Sequence, residues 1–288
     1  MNRAGIIALT VFIPLFLAGC SEWKETIQTK KQTDELYAGM IIDKDHALAV
    51  GLADATRFSL DGGKHWRSGM TTKDHRYSLY GCFAPDENNF YATGNKRQVF
   101  VSSNAGDTWT VASDIGAEAG KSLSFFAPES GWVSAKAWLG ETADRGKKWT
   151  ALRIPAGVSS IETVCAIGPG SGYLVSETKD IYRTTDSGAH WEKLSSPFTG
   201  LTVPFQPYFC LAAQGVALSM NGDSGILACS GKVNEKFTLM ISETKDGGKT
   251  WSKPELHALK LQPKSVGVSS KGYVSVFNKD LSLIGFTK

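Results

Sequence analysis

Five copies of one eight-residue pattern, [Ser/Thr]-x-[Asp/Asn]-x-Gly-x-x-Trp, constrain this chain more than any other feature. They run Ser59–Trp66, Ser102–Trp109, Thr142–Trp149, Thr184–Trp191 and Thr244–Trp251, with Trp-to-Trp spacings of 43, 40, 42 and 60 residues. An acid or amide that opens a turn accepts hydrogen bonds from backbone N–H groups inside it. Asp61, Asn104, Asp144, Asp186 and Asp246 stand at that position. Gly63, Gly106, Gly146, Gly188 and Gly248 follow two residues later, where positive φ is free of steric penalty. The hydroxyl four residues before each Gly can bond the acid. Trp66, Trp109, Trp149, Trp191 and Trp251 open the next strand and cover the hairpin. Each copy therefore predicts a reinforced turn between antiparallel strands. Two further short strands precede the one that enters the box, so that the second copy reads Leu79 to Phe83, Phe90 to Gly94 and then Val99 to Ser102.

This pattern resembles the Asp-box, or BNR repeat, of sialidase-like and photosystem II assembly-factor-like β-propellers. The resemblance implies that the box joins the third and fourth strands of a four-stranded blade, at the outer rim and away from the ligand face. The boxes are then structural turns, not catalytic groups. A period near 42 residues suits a propeller blade. After Trp251 three strands follow, Lys264 to Val268, Gly272 to Asn278 and Leu281 to Thr287. The stretch Glu22 to Ile27 resembles a post-box strand, so the N-terminus is expected to supply the outer strand of the last blade. Six blades are expected, with seven as the alternative. The fifth repeat carries about eighteen extra residues, expected as a loop near Ala212 to Gly225.

The N-terminus reads as an address. Arg3 precedes an apolar run from Ile6 to Leu17 that ends in Leu17-Ala18-Gly19-Cys20. The run is shorter than the ~20 residues of a membrane span and reads as a secretory h-region. Its end resembles a bacterial lipobox, which implies cleavage before Cys20 and lipid on that thiol. Ser21, in place of Asp, implies the outer membrane, with the protein facing the periplasm. The expected organisation is a signal peptide at 1–19, a lipidated N-terminus with a possible closing strand at 20–36, and the propeller at 37–288. In an oxidising compartment the other four cysteines can pair. Cys210 and Cys229 fall in one repeat and are the favoured disulfide. Cys82 and Cys165 read as small buried hydrophobes.

Lys and Arg number 31 against 28 acids among 288 residues, a net charge of +3, with 42% hydrophobic residues. That excludes disorder and a strongly basic nucleic-acid binder. No CxxC, HExxH, GxSxG or P-loop occurs, and neither a metal nor a cofactor is expected. Leu152-Arg153-Ile154-Pro155 matches part of a sialidase motif, but it follows the third box instead of preceding the first. Catalysis is not indicated; a sialidase-like glycan hydrolase stays as an alternative. A protein-binding surface is expected on the face opposite the boxes. Arg57, Lys96, Arg97, Lys136 and Trp138, with Lys179, Lys232 and Lys236, would form a basic rim there. Phe198, Phe205 and Tyr208 lie in an apolar, Pro-punctuated connection that can supply interface anchors. The expected role is a scaffold or assembly factor; an immunity protein that neutralises a periplasmic toxin is the alternative.

Overall fold

The computed structural model describes residues 23–28, 35–69, 77–116, 119–198, 205–207 and 215–288. Cys20, Cys210 and Tyr208 lie outside them, and for Phe205 the backbone alone is described. The described chain folds into six antiparallel sheets, the six blades of a β-propeller. In the first blade the strands are Leu36–Ile41, Ala47–Gly51, Thr56–Ser59 and Arg67–Ser68, ordered from the centre outwards. The second comprises Leu79–Phe83, Phe90–Gly94, Gln98–Ser102 and Thr110–Asp114. The third has Ser122–Ala127, Ser130–Ala135, Trp138–Thr142 and Thr150–Leu152. The fourth has Ile161–Gly168, Ser171–Ser176, Ile181–Thr184 and Glu192–Leu194.

Strand faces explain the ring. Both faces of each blade meet a neighbour, so strands such as Ala47–Gly51 and Phe90–Gly94 are buried at every residue. Alternate side chains go to opposite sides. Leu48 and Val50 join Phe58, Leu79 and Phe90 between the first two blades. Ala47 and Ala49 join Phe277 and Leu283 between the first and last. Six apolar clusters result, one at each blade boundary.

The sixth blade is composite. Pro263–Val268, Val274–Asn278 and Leu283–Thr287 come from the C-terminus, and Lys24–Gln28 completes the sheet by pairing with Leu283–Thr287. Ring closure by the N-terminus is thus as expected. Trp23 seals this join at 4% exposure, among Val266, Val276 and Phe286.

The fifth blade differs from expectation. The extra length is not a loop at Ala212 to Gly225, because Val216–Asn221 is the inner strand and turns directly into Ser224–Val233. The third and outer strands are Lys236–Thr244 and Glu255–Ala258. The added residues lie in the connection from the fourth blade and in the long hairpin of Ser224–Val233 with Lys236–Thr244. The extended end of that hairpin, Gly231 to Val233, pairs with an additional strand, Phe205–Pro207. Periodicity cannot separate a longer hairpin from a longer loop, because each adds the same number of residues.

All five boxes share one hydrogen-bond set. The Ser or Thr hydroxyl donates to the acid or amide oxygen at 2.9–3.0 Å. It accepts from the box Gly N–H at 2.8–3.1 Å. The same acid or amide oxygen accepts the backbone N–H four residues further on, from His65, Thr108, Lys148, His190 and Thr250, each at 2.9 Å. One turn residue in each box then donates its N–H to the first hairpin turn of its own blade. Gly62 bonds Asp45 O, Ala105 bonds Asn88 O, Arg145 bonds Glu129 O, Ser187 bonds Gly170 O and Gly247 bonds Asp223 O, at 2.8–2.9 Å. Box and hairpin turn therefore occupy the same face of the ring. At Gly188, φ is +81° and a Cβ would stand 2.3 Å from Arg153 O, so no side chain fits.

The tryptophans do more than cover a hairpin. Trp149 Nε1 donates to Ser113 Oγ, Trp191 Nε1 to Arg153 O and Trp251 Nε1 to Ser195 O, each at the end of the preceding blade's outer strand. They tie blade to blade.

Hydrogen bonds from His190 and Thr184 hold the Asp186 carboxyl down at about 2, and those from Thr250 and Thr244 do the same for Asp246. Unfolded aspartates titrate near ~3.9. Stability from these lowered groups is complete above that value and is lost as the pH falls towards about 2. The melting temperature is therefore expected to drop between about pH 4 and pH 2. Replacing Asp186 and Asp246 with Asn, the residue already present at Asn104, should flatten that drop. An unchanged acid profile in the double variant would contradict this assignment.

Candidate functional site

The inner strands run from the open face towards the box face, so their first residues ring the channel mouth opposite the boxes. Four inner strands carry a register shift at the same early position. The shifts fall between Leu36 and Ala38, Leu79 and Gly81, Ile161 and Thr163, and Pro263 and Ser265. The residues they release are Tyr37, Tyr80, Glu162 and Lys264. A β-bulge leaves its extra residue unpaired and re-aims the side chain, a device enriched beside functional sites.

These side chains interact across blade boundaries. The Tyr37 and Tyr80 rings lie 5.7 Å apart. Lys264 donates to Leu36 O at 2.8 Å, with its ammonium 5.5 Å from the Tyr37 ring centre. Burial first, and then the neighbouring Glu35, push the Tyr37 hydroxyl above its ordinary value. On the other side of the mouth Glu162 is 6% exposed. It accepts from Lys121 at 2.7 Å and faces Lys179 at 3.9 Å. Burial lowers the Lys179 ammonium below its usual range, against the opposing pull of Glu162. The mouth thus has an aromatic and cationic arc over the sixth, first and second blades, and an acid–lysine arc over the third and fourth.

Below the mouth the channel is plugged. Met40, Phe83, Leu123, Val164, Leu218 and Val268, one from each blade, enclose about 20 Å³, room for about one water. Hydroxyls staple the inner strands: Ser122 Oγ accepts from Val164 N, Ser124 Oγ from Ala166 N and Ser265 Oγ from Gly39 N. The plug separates the two faces of the ring.

The residues singled out from sequence do not gather in one patch. Lys96 and Arg97, Lys136, and Lys179 all occupy the turn between second and third strands, in the second, third and fourth blades. That turn lies on the open face. Arg97 is paired with Asp114 at 2.9 Å, Lys232 with Glu235 at 3.2 Å, and Lys179 is buried, so the basic rim is partly neutralised. Arg57 lies mid-strand and donates to Thr56 O. Trp138 is half-buried against the second–third blade core, its ring over Gly140 beside Lys136. Phe198 packs on the fourth–fifth blade core instead of standing out as an anchor.

Cys229 carries a free thiol with 0% exposure, donating to Ser230 O, so the expected Cys210–Cys229 disulfide is not formed at Cys229. Its strand turns the side chain into the core among Val216 and Met240. Burial pushes the Cys82, Cys165 and Cys229 thiols up to about 12. Arg153 is exposed at the end of an outer strand, where its carbonyl serves Trp191.

Tyr37, Tyr80, Glu162 and Lys264 were missed by motif reading. A signal exists: each stands thirteen or fourteen residues after Trp23, Trp66, Trp149 or Trp251 respectively. Alignment on the tryptophan would have placed them in one ring.

Fold and boxes together define a BNR-type β-propeller that resembles the assembly-factor-like propellers. A family model described as photosynthesis system II assembly factor YCF48 matches residues 78–206. The solved structure of YCF48 bound to D1 peptide aligns with a TM-score of 0.56 at 14% identity, covering 92% of this chain and 97% of that one. YCF48 from Cyanidioschyzon merolae gives 0.52 at 14% identity, covering 92% and 98%. The structure of U3-55K gives 0.63 at 8% identity, covering 93% and 99%. At such identities the likeness is one of fold. No curated protein matches the chain.

Proposed function

We propose that this chain is a non-enzymatic, protein-binding scaffold, anchored by lipid on Cys20 to the periplasmic side of the outer membrane. The observation that carries the binding role is the set of four bulges that gather Tyr37, Tyr80, Glu162 and Lys264 at one mouth of a closed ring. Aromatic and cationic side chains on a rigid platform suit a protein surface. The match to an assembly-factor family and the peptide held by a YCF48 propeller support the same reading. The lipid anchor rests on the Leu17-Ala18-Gly19-Cys20 sequence.

A pull-down from the native envelope, read by mass spectrometry, is expected to return one stoichiometric protein. Tyr80→Ala with Lys264→Ala should lose it. Capture of no protein, even with crosslinking, would overturn the scaffold role. The partner's identity separates assembly from immunity, since an immunity protein would return a secreted toxin. Cys20→Ala is expected to move the protein from the membrane to the soluble periplasm; unchanged fractionation would sink the anchor.

A further inference from the structure

Two concavities lie on the box face. Where the inner strands end, the channel opens into a vestibule of about 310 Å³. Phe83, Phe126, Ile167 and Met220 line it, each half-buried. Two of these sit on bulges of their own: register shifts fall between Phe125 and Ala127 and between Ala166 and Gly168. The bulges free Phe126 and Ile167 from regular pairing at matching positions of adjacent blades, next to a cavity. A concave site with large apolar side chains and a few polar groups is the usual form of a binding pocket.

A second concavity of about 350 Å³ continues from the first, between the fifth and sixth blades. The two share Ser219, Asn221 and Ser270. These three side chains make no hydrogen bond among the described residues. Three charges line the outer part. Glu243 is satisfied by Lys288 at 2.5 Å, and Lys271 by Asp43 at 2.7 Å. Lys245 is exposed and has no ion pair among the described residues, which leaves the outer end positive. Apolar socket and cationic end are thus joined through the polar residues that the two concavities share. That order fits an extended chain, whose side chains need a pocket and whose backbone needs donors and acceptors.

We propose that this vestibule and trough bind an extended peptide segment of a partner protein, with a bulky apolar side chain in the vestibule and an acidic residue at Lys245. The inference rests on the reading of the ring as a protein-binding scaffold and assigns it a second face.

The test is selection of a randomised dodecapeptide phage library on the immobilised full-length chain. Enriched peptides are expected to pair a large apolar residue with Asp or Glu a few residues away. Ser270→Trp, which fills the shared part of the two cavities, should weaken their binding at least about tenfold. Lys245→Glu should replace the acid in the selected peptides by Lys or Arg. Asn221→Trp, at an exposed turn, repeats the block should Ser270→Trp melt early. Failure to enrich any peptide, or equal binding to both blocked variants, would overturn the proposal. The two readings separate in the envelope pull-down. A partner captured equally by wild type and Ser270→Trp leaves the scaffold standing and removes this site; capture by neither wild type nor variant removes the scaffold itself.

Discussion

A chain beginning at residue 29 is expected to melt about 10 °C or more below one beginning at Ser21. The difference is the strand Lys24–Gln28 and the Trp that precedes it. Trp23 is almost wholly buried between the fifth and sixth blades, where it meets Val266, Val276 and Phe286. Loss of a buried Trp side chain costs about 3–5 kcal/mol. In a domain of this size each kcal/mol moves the midpoint by about 2–4 °C. Removal also strips the backbone partners of Ile284 to Thr287 and leaves that strand as an open edge, which invites aggregation. Differential scanning calorimetry of the two chains measures the effect. Equal midpoints would mean that the ring does not depend on its closing strand.

Trp109→Ala is expected to cost about 3–5 kcal/mol, and Trp191→Ala distinctly less. The two tryptophans hold the same box position but not the same surroundings. Trp109 is 4% exposed, packs against Phe90 and donates to Gly106 O. Trp191 is half-buried, meets Trp132 edge-on and donates to Arg153 O of the preceding blade. Its loss removes less apolar burial and opens a seam between blades instead of a cavity. Denaturant titration of both variants resolves the order. A reversal would mean that the inter-blade hydrogen bond outweighs burial.

The boxes were fully legible in the sequence because a tight turn with two successive left-handed residues accepts few side chains. The hydroxyl, the acid and the glycine each have a defined part in one hydrogen-bond set, and the structure shows all three. The strands of the second blade were legible from their turn signals, as were the three that follow Trp251. The closing strand was legible because Glu22 to Ile27 reads like the strand after any box. The channel mouth was not. Tyr37 and Glu162 differ in chemistry, and what they share is a distance from the preceding tryptophan and a slip in backbone register, neither of which a residue type announces. The charge on the open face was misjudged for a related reason. Arg97 and Asp114 are seventeen residues apart and meet only because the outer strand returns beside the turn. The strand Phe205–Pro207 escaped because its partner is the overhanging end of a hairpin two strands away in sequence.

The composite blade also says where this ring can be cut. In five blades a box joins the third strand to the fourth; in the sixth that connection is the gap between Thr287 and Lys24. Trp23 nevertheless fills the boundary with the preceding blade, as the box tryptophans do. The fold is thus cyclic in its contacts and linear only in its covalent order. A peptide link across that gap, with a new opening at another box, yields a permuted chain with the same six interfaces. The place of the termini is then a choice about which blade is assembled from both ends of the chain, and not a condition for making the ring.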